Sequence, residues 1–530
     1  MKKLLLLTAL WCIGIAYPFT AWGFAYTDPN GVYWNCSYVY DTLETTVDTL
    51  AEITGASDYG TEVVVPGTVY DSKGVARTVV KMSEVFMDDQ ALQKVTLPSS
   101  VRSLYRTFSN CVSLTTVENT SHLIEIGYST FYRTAITSID LSSCTKVGEM
   151  ALDYCTNLTS IDLPSCTTVG KEAFKSCTNL TSVKLPLCKS IGAYAFSSDY
   201  NPCKALASID MPVCTTVGAS AFAGCTGLTS IDLPACTTVG EGAFSGCMGL
   251  TSINIPLYTS VGDWVFSGCT SLTSMPLLSY TSVGRYAFAG CTGLTSIDLP
   301  LCTLVGAYAF DGCDKLTSVN LPVCVKVGNQ AFMSCRGIKS VNLPVCTTVG
   351  MNAFFGCGSL TSIDLPVCKT VEYCAFHSCR SLTSIDMPAC ETIGEKAFSD
   401  CTSLTSIYIP SSVTSIRKMA FCNCSGLTRV YVSWKEPKIL SNDQFHCVGV
   451  QKCTLYVPEG TLGKYKSTQV WKDFGNIVEY NVTGIDNASV TVDATETARY
   501  SANGQRATAP VKGLNIVKYS DGSVRKVLVR

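Results

Sequence analysis

The chain has 530 residues, 47% of them hydrophobic, and sets 39 basic against 41 acidic residues for a formal net charge of -2. That balance gives no electrostatic grip on nucleic acid or anionic lipid, and the apolar content suffices for several domains or one elongated array. Only three histidines occur, His122, His377 and His446, which argues against histidine metal centres and a histidine general base while leaving carboxylate chemistry open.

Residues 1–23 read as a secretory signal peptide: Lys2 and Lys3 precede the apolar run LLLLTALWCIGIA, and the small residues Ala21 and Gly23 flank Trp22 at a cleavage point after Gly23. The bulky Trp11 before Cys12 disfavours a lipoprotein anchor there. No later apolar run reaches membrane-spanning length, so no transmembrane segment is expected. Residues 24–85 are polar and β-branched and form a separate N-terminal region.

From residue 86 to 451 the text repeats itself. GCTGLTSIDLPACTTVG at Gly224 to Gly240 recurs nearly unchanged as GCTGLTSIDLPLCTLVG at Gly290 to Gly306. Phe86, Phe108, Phe131, Leu152, Phe174 and Phe196 begin one column, and from Phe222 to Phe398 its members recur every 22 residues. Such a period means stacked coils, a solenoid. Within the coil that starts at Leu228, the inward set is Leu228, Ile231, Leu233, Cys236, Val239, Ala243, Phe244 and Cys247. Alternation across Ile231, Asp232 and Leu233 is strand-like, Pro234 ends that strand, and AFSGC is expected to form a short helical or 3₁₀ turn. One coil buries too few large side chains, at roughly 1.5 to 3 kcal/mol each, to offset roughly 1 to 2 kcal/mol of ordering per residue. Copies placed alongside supply the missing burial. The strands should therefore form a stacked parallel sheet rising about 4.8 Å per coil, a rod of roughly 80 Å.

The motif L-x-x-I-x-L-P-x-C-x-x-V-G-x-x-A-F-x-x-C resembles the leucine-rich repeat of BspA-like surface proteins. The resemblance implies a β-rich α/β solenoid of 22–23-residue leucine-rich repeats with N- and C-terminal caps. It also implies a secreted or surface-exposed bacterial protein whose relatives bind host matrix or plasma proteins and mediate adhesion or coaggregation. Here x-Cys replaces the usual Ser-Val after proline, which survives only in LPSSV at Leu97 and IPSSV at Ile409. VVVPGTV at Val63 to Val69 resembles the segment that covers the first coil, and residues 452–480 resemble a C-terminal cap. Residues 481–530 resemble a β-rich sorting region of proteins exported by the type IX system, on Asn503-Gly504, Lys512-Gly513-Leu514, Ile516-Val517 and the basic final stretch Arg525 to Arg530. The address so implied is the outer surface of a Gram-negative bacterium.

Thirty cysteines in an exported chain invite disulfides, but most fall in two columns, one after Ala-Phe (Cys225, Cys247, Cys291) and one after the strand (Cys214, Cys236, Cys302). Stacked Cβ atoms about 4.8 Å apart lie beyond the usual bridging range of about 3.5 to 4.5 Å, which favours buried thiols acting as small hydrophobes. Tyr258 and Tyr280 replace the second-column cysteine without visible compensation, and Cys36, Cys374, Cys422 and Cys453 lie off the columns as the better candidates for bridges. Cys374, His377 and Cys379, with Cys422, Cys424, His446 and Cys447, mimic zinc-ligand spacing weakly, and the column members among them should face inward.

The strand's outward position reads Asp140, Asp162, Lys184, Asp210, Asp232, Asn254, Pro276, Asp298, Asn320, Asn342, Asp364, Asp386, Tyr408 and Tyr431. Two adjacent carboxylates at this spacing repel by about 1 kcal/mol in water, so the row requires solvation, cations or a basic partner. One reading is a solubilising face. The other makes Asp210, Asp232, Asn254, Asp298, Asn320, Asn342, Asp364, Asp386, Tyr408 and Tyr431 a surface for a host matrix or plasma protein, a glycan or a neighbouring cell. The irregular stretches 197–204, 274–280 and 433–451 hold no catalytic constellation, and no cofactor is expected. Near-identical coils serving only as a spacer or surface layer are the alternative.

Overall fold

The computed structural model describes residues 23–40, 49–198, 200–275, 279–441 and 443–480, together with the backbone of strands 496–501, 506–507, 513–519 and 524–529. The chain winds as a parallel-strand solenoid of about 18 turns. Residues 1–22 of the expected signal peptide lie outside the described part, as do Pro276, Asn503-Gly504 and Lys512.

Each regular coil contributes two short strands. The first carries the Ser-Ile-Asp triplet, as in Ser230–Asp232, and the second is a two-residue strand such as Thr238–Val239. Equivalent strands pair in parallel, residue for residue: Ser296 with Ser318, Ile297 with Val319, Asp298 with Asn320. The inward residues Leu228, Leu233, Cys236, Ala243, Phe244 and Cys247 have no exposed surface, and Ile231 and Val239 are also buried. The phenylalanine column stacks as the period requires. Phe310 and Phe332 lie 5.2 Å apart with their planes within 4°, and Phe354 and Phe376 5.3 Å apart within 2°. This is offset stacking, enforced by one backbone rise per ring.

The AFSGC turn differs from the helical expectation. Amides of Ala243, Ser245 and Cys247 donate locally to Gly240, Gly242 and Phe244, whereas those of Gly242, Phe244 and Gly246 donate to Asp263, Val265 and Ser267 of the next coil. Every second amide is thus committed to the neighbour, and a helix needs all of them. Gly242 at φ 61° and Gly246 at φ 70° break the helical path. Trp264 (φ 61°), Tyr286 (φ 52°) and Tyr308 (φ 57°) adopt the same left-handed conformation. A non-glycine residue there costs roughly 1 to 2 kcal/mol, which inter-coil hydrogen bonding offsets. The single α-helix among the described residues is Leu462–Ser467, in the C-terminal cap.

All described cysteines are free thiols, including Cys36, Cys374, Cys422 and Cys453. The post-Phe column does more than fill space: the Phe222 carbonyl accepts both the Cys225 amide at 3.0 Å and the Cys247 thiol of the next coil at 3.1 Å. Burial pushes the Cys203 thiol up to about 12 and those of Cys225 and Cys247 well above the usual value, so these remain protonated donors. Tyr258 and Tyr280 do compensate for the cysteines they replace. They occupy adjacent coils, both buried, and meet edge to face at 5.9 Å, while the Tyr258 hydroxyl accepts from the Gly262 amide at 2.9 Å.

Both ends of the column are covered. Trp34 of the antiparallel strands Gly23–Thr27, Tyr33–Tyr40 and Thr49–Ser57 sits edge-on against Phe86 at 6.3 Å. At the other end Phe445 meets Phe474 edge-on at 5.5 Å and Trp471 at 6.0 Å. Tyr465 and Trp471 anchor that cap by donating to the carbonyls of Trp434 and Lys438 at 2.8 and 2.7 Å. These covers remove the open apolar ends that a stacked rod otherwise exposes. The four C-terminal strands form an antiparallel sheet of their own, in the order 506–507, 496–501, 513–519, 524–529.

Candidate functional site

In the Ser-Ile-Asp strand the middle residue is buried and both neighbours face out, a consequence of the two-residue period. The exposed row does not run as a line of bare carboxylates. Asn254 donates its amide to Asp232 at 2.8 Å, Asn320 donates to Asp298 at 2.7 Å, and Asn342 donates to the Asn320 carbonyl at 2.6 Å. Amides interleaved with carboxylates remove most of the nearest-neighbour repulsion anticipated from sequence. Asp210 lies in register with Lys184, and Asp364 lies between Asn342 and Asp386, a pair of adjacent carboxylates. A threonine column flanks the row, each hydroxyl donating to the preceding coil, as Thr251 to the Thr229 carbonyl at 3.0 Å and Thr317 to that of Thr295 at 3.0 Å.

The two tyrosines differ from the rest. Tyr408 is half-buried, its hydroxyl 2.8 Å from that of Ser433. Tyr431 is buried at 3% exposure, stacked 4.4 Å from Tyr456 and met edge-on by Tyr480, so it belongs to the packing of the C-terminal sheet and not to the exposed surface. Nor is the row one continuous sheet. It divides into strands 160–162 to 208–210, 230–232 with 252–254, 296–298 to 384–386, and 406–409 onward.

A further gap falls at residues 137–140, which pair with neither neighbouring strand. Beside them opens a notch of about 690 Å³ lined by Thr115 to Ser121 and Thr137 to Asp140. The spacing of this coil is irregular. Cys111 and Leu114 are three apart, whereas the corresponding Thr134 and Ile136 are two apart, so Phe131 and Leu152 are separated by 21 residues. Ile139 is half-buried in this coil, where Ile161 and Val183 in the next two are covered. Inside the notch Glu118 holds Lys94 at 2.7 Å and Thr96 at 2.8 Å, and Asp140 accepts from the Ser142 amide at 3.0 Å. The changed spacing was the signal in sequence for this feature.

The zinc-like spacing is split by the fold. Cys379 and Cys424 are buried and donate to the Phe354 and Phe398 carbonyls. Cys374, His377, Lys396, Asp400 and Cys422 line a shallow pocket of about 440 Å³, with His377 Nδ1 3.6 Å from Asp400 Oδ2. Desolvation lowers the His377 pKa despite the nearby Asp400, which leaves a mostly neutral imidazole at neutral pH. Among the described residues no group of three metal-ligating side chains converges. On the turn side Trp264, Tyr286 and Tyr308 form an outward stack, with centroids 3.9 and 4.4 Å apart, that sequence reading did not single out.

Among the described residues no helix is long and apolar enough to cross a membrane. The family model for the BspA type leucine-rich repeat region matches residues 82–202, 189–317, 259–379 and 303–428. No curated protein matches the chain. Among solved structures the chain is similar to a leucine-rich repeat protein from Bacteroides ovatus, 23% identical with a TM-score of 0.48, over 84% of this chain and 98% of that one. It is also similar to a leucine-rich cell surface protein from Faecalibacterium prausnitzii, at 21% identity and TM-score 0.37, over 86% and 95% of the two chains. The pneumococcal vaccine antigen PcpA is 15% identical with a TM-score of 0.29, over 87% of this chain and all of that one.

Proposed function

The chain belongs to the BspA-type leucine-rich repeat family of bacterial surface proteins, and from that premise we propose that it is an exported adhesin-like protein. It binds a host matrix or plasma protein, a glycan or a neighbouring cell through the strand face. Export begins with the signal peptide of residues 1–23 and ends with the type IX-like segment 481–530 on the outer surface of a Gram-negative bacterium. Between them the rod of residues 86–451 is held between caps at 24–85 and 452–480. The family is generally non-catalytic, and no residue is assigned a catalytic role.

The observation that carries this reading is the hydrogen-bonded row Asp298, Asn320 and Asn342 between hydroxyl columns, which presents fixed acceptors and donors at one coil rise. A repeating polar surface of this kind suits a basic protein segment or a polyhydroxylated chain. Joint reversal of Asp232, Asp298, Asp364 and Asp386 to lysine is expected to weaken binding to matrix proteins, plasma proteins, mucins or neighbouring bacteria at least tenfold, with an unchanged circular dichroism spectrum. Undiminished binding by this variant would move the site off the strand face. Failure of the parent chain to bind any of these probes would leave the spacer reading, which the near-identity of successive coils favours.

A further inference from the structure

The residue after the post-Phe cysteine is threonine in many coils, Thr226, Thr270, Thr292 and Thr402 among them. In three consecutive coils it reads Arg336, Gly358 and Arg380, and from residue 226 to residue 425 no other coil has arginine or glycine at this position. These three, with Gly356, Ser359 and Ser378, line a pocket of about 450 Å³. Gly358 opens it, since a Cβ there would meet only the Gly356 carbonyl oxygen, at 3.9 Å. The exposed arginines stand on either side of this bare coil, their backbones two coil rises or about 10 Å apart. Among the described residues the Arg380 side chain has no hydrogen bond or ion pair, and Arg336 has only Asp314 of the preceding coil, with Nε 4.0 Å from Oδ1. The hydroxyls of Ser359 and Ser378 are likewise without a protein partner among the described residues.

We propose that this pocket binds a sulfate ester carried on a glycan. Two guanidinium groups lining one cavity repel each other in the free protein, and an anion between them turns that repulsion into attraction. Each guanidinium is permanently charged and offers a planar fork of donors suited to two oxygens of one anion. Forks arriving from two coils, with hydroxyls beside them, match a tetrahedral oxyanion, which presents oxygens on several sides, better than a carboxylate, which presents them on one. The amides of Gly356 and Gly358 are committed to the carbonyls of His377 and Gly356 at 2.8 Å each, so the glycines supply room and the side chains supply the donors. The carrier follows from the lining. No apolar or aromatic side chain borders the pocket to receive an acyl chain or an aryl ring, whereas a hydroxylated sugar suits serine, glycine and arginine. The volume also falls within the range of about 300 to 1,000 Å³ usual for small-ligand sites, more than a bare ion fills. Lys315 and Lys339, both exposed, extend the positive charge over the neighbouring surface, and Asp314 is the one acid in this column, so a polyanionic chain is drawn to it.

The test is the binding of fluorescently labelled chondroitin sulfate to the full chain at about 0.15 M salt, where exposed charges are screened beyond about 8 Å. Saturable binding is expected, with little for the desulfated polymer, which keeps its carboxylates. Gly358→Thr installs the residue other coils use and leaves the charge unchanged; it should weaken binding at least about tenfold with an unaltered thermal melt. Arg336→Gln with Arg380→Gln should do the same, and Lys189→Gln with Lys204→Gln, which removes as much charge from an exposed region elsewhere, should stay within about twofold. Equal binding of the desulfated polymer, undiminished binding by Gly358→Thr, or no binding of the sulfated probe overturns the proposal. Inorganic sulfate that binds as tightly as the polymer overturns the glycan as carrier. The pocket lies off the carboxylate row, so this site and the strand-face reading can each fail alone.

Discussion

The turn side and the strand face are written by the same repeat but held by different means. Along the turn side the phenylalanine rings stay within a few degrees of parallel from Phe174 to Phe266, even across the longer step between Phe196 and Phe222, and every second amide bonds to the next coil. The strand face breaks at residues 137–140 and between 208–210 and 230–232 without disturbing the coils behind it. The coil with the shorter spacing before Ile136 lacks this strand pairing, yet Ile136, Leu141 and Leu152 are fully buried. Coil stacking is therefore secured by side-chain burial and turn-side bonds, and the strand face is free to vary.

The largest expected effect tests the turn side directly. Phe310→Ala removes a ring stacked on both sides, 5.2 Å from Phe288 and from Phe332. A loss of about 3 to 5 kcal/mol is expected, since the flanking coils cannot close the cavity while their own rings remain stacked. Denaturant unfolding should show it, and a loss below about 1 kcal/mol would mean that the ring column is not what holds the coils.

A titration probes the same side. Asp153 is 2% exposed, its Oδ1 has no hydrogen-bond partner, and desolvation raises its pKa to about 7 against the pull of Lys175 and Arg133. Glu172 adds to the rise. In the unfolded chain the group ionises near 3.8, so the folded state holds the extra proton between those values and stability falls as pH rises through that window. The shift corresponds to at most roughly 4 kcal/mol at neutral pH. Asp153→Asn should raise the melting temperature at pH 7.5 and flatten its decline between pH 4 and pH 7 (about those limits). An unchanged pH profile would place the carboxylate in contact with water or a cation.

The smallest effect is expected on the strand face. Asn320→Ala deletes a donor to Asp298 and an acceptor for Asn342, yet both bonds are exposed. Stability should change by no more than about 0.5 kcal/mol. A loss comparable to that of Phe310→Ala would erase the distinction between the two sides.

Much of this was legible in the sequence because the period and the burial problem are properties of the text itself. A 22-residue unit with one apolar edge has to stack, so the parallel strands, the ring column and the buried cysteine columns follow. The outward row was legible too, since alternation about Ile231 fixes the direction of Asp232. The role of Tyr431 was not, because the cap residues Tyr456 and Tyr480 that cover it are distant in sequence. Nor were the hydrogen bonds along the outward row, in which Asn254 and Asn320 donate to the aspartates of the preceding coils, because side-chain rotamers decide them.

The amino-acid order alone determined that the coils repeat and which side of each is dry. Only the tertiary structure decided that the Ala-Phe turn is not helical, because its amides find better-placed acceptors one coil away than one turn back. It alone decided that a notch opens beside residues 137–140 while the interior stays closed. Periodicity fixes what a residue faces, but hydrogen-bond partners across coils are settled only when the neighbouring coil is in place.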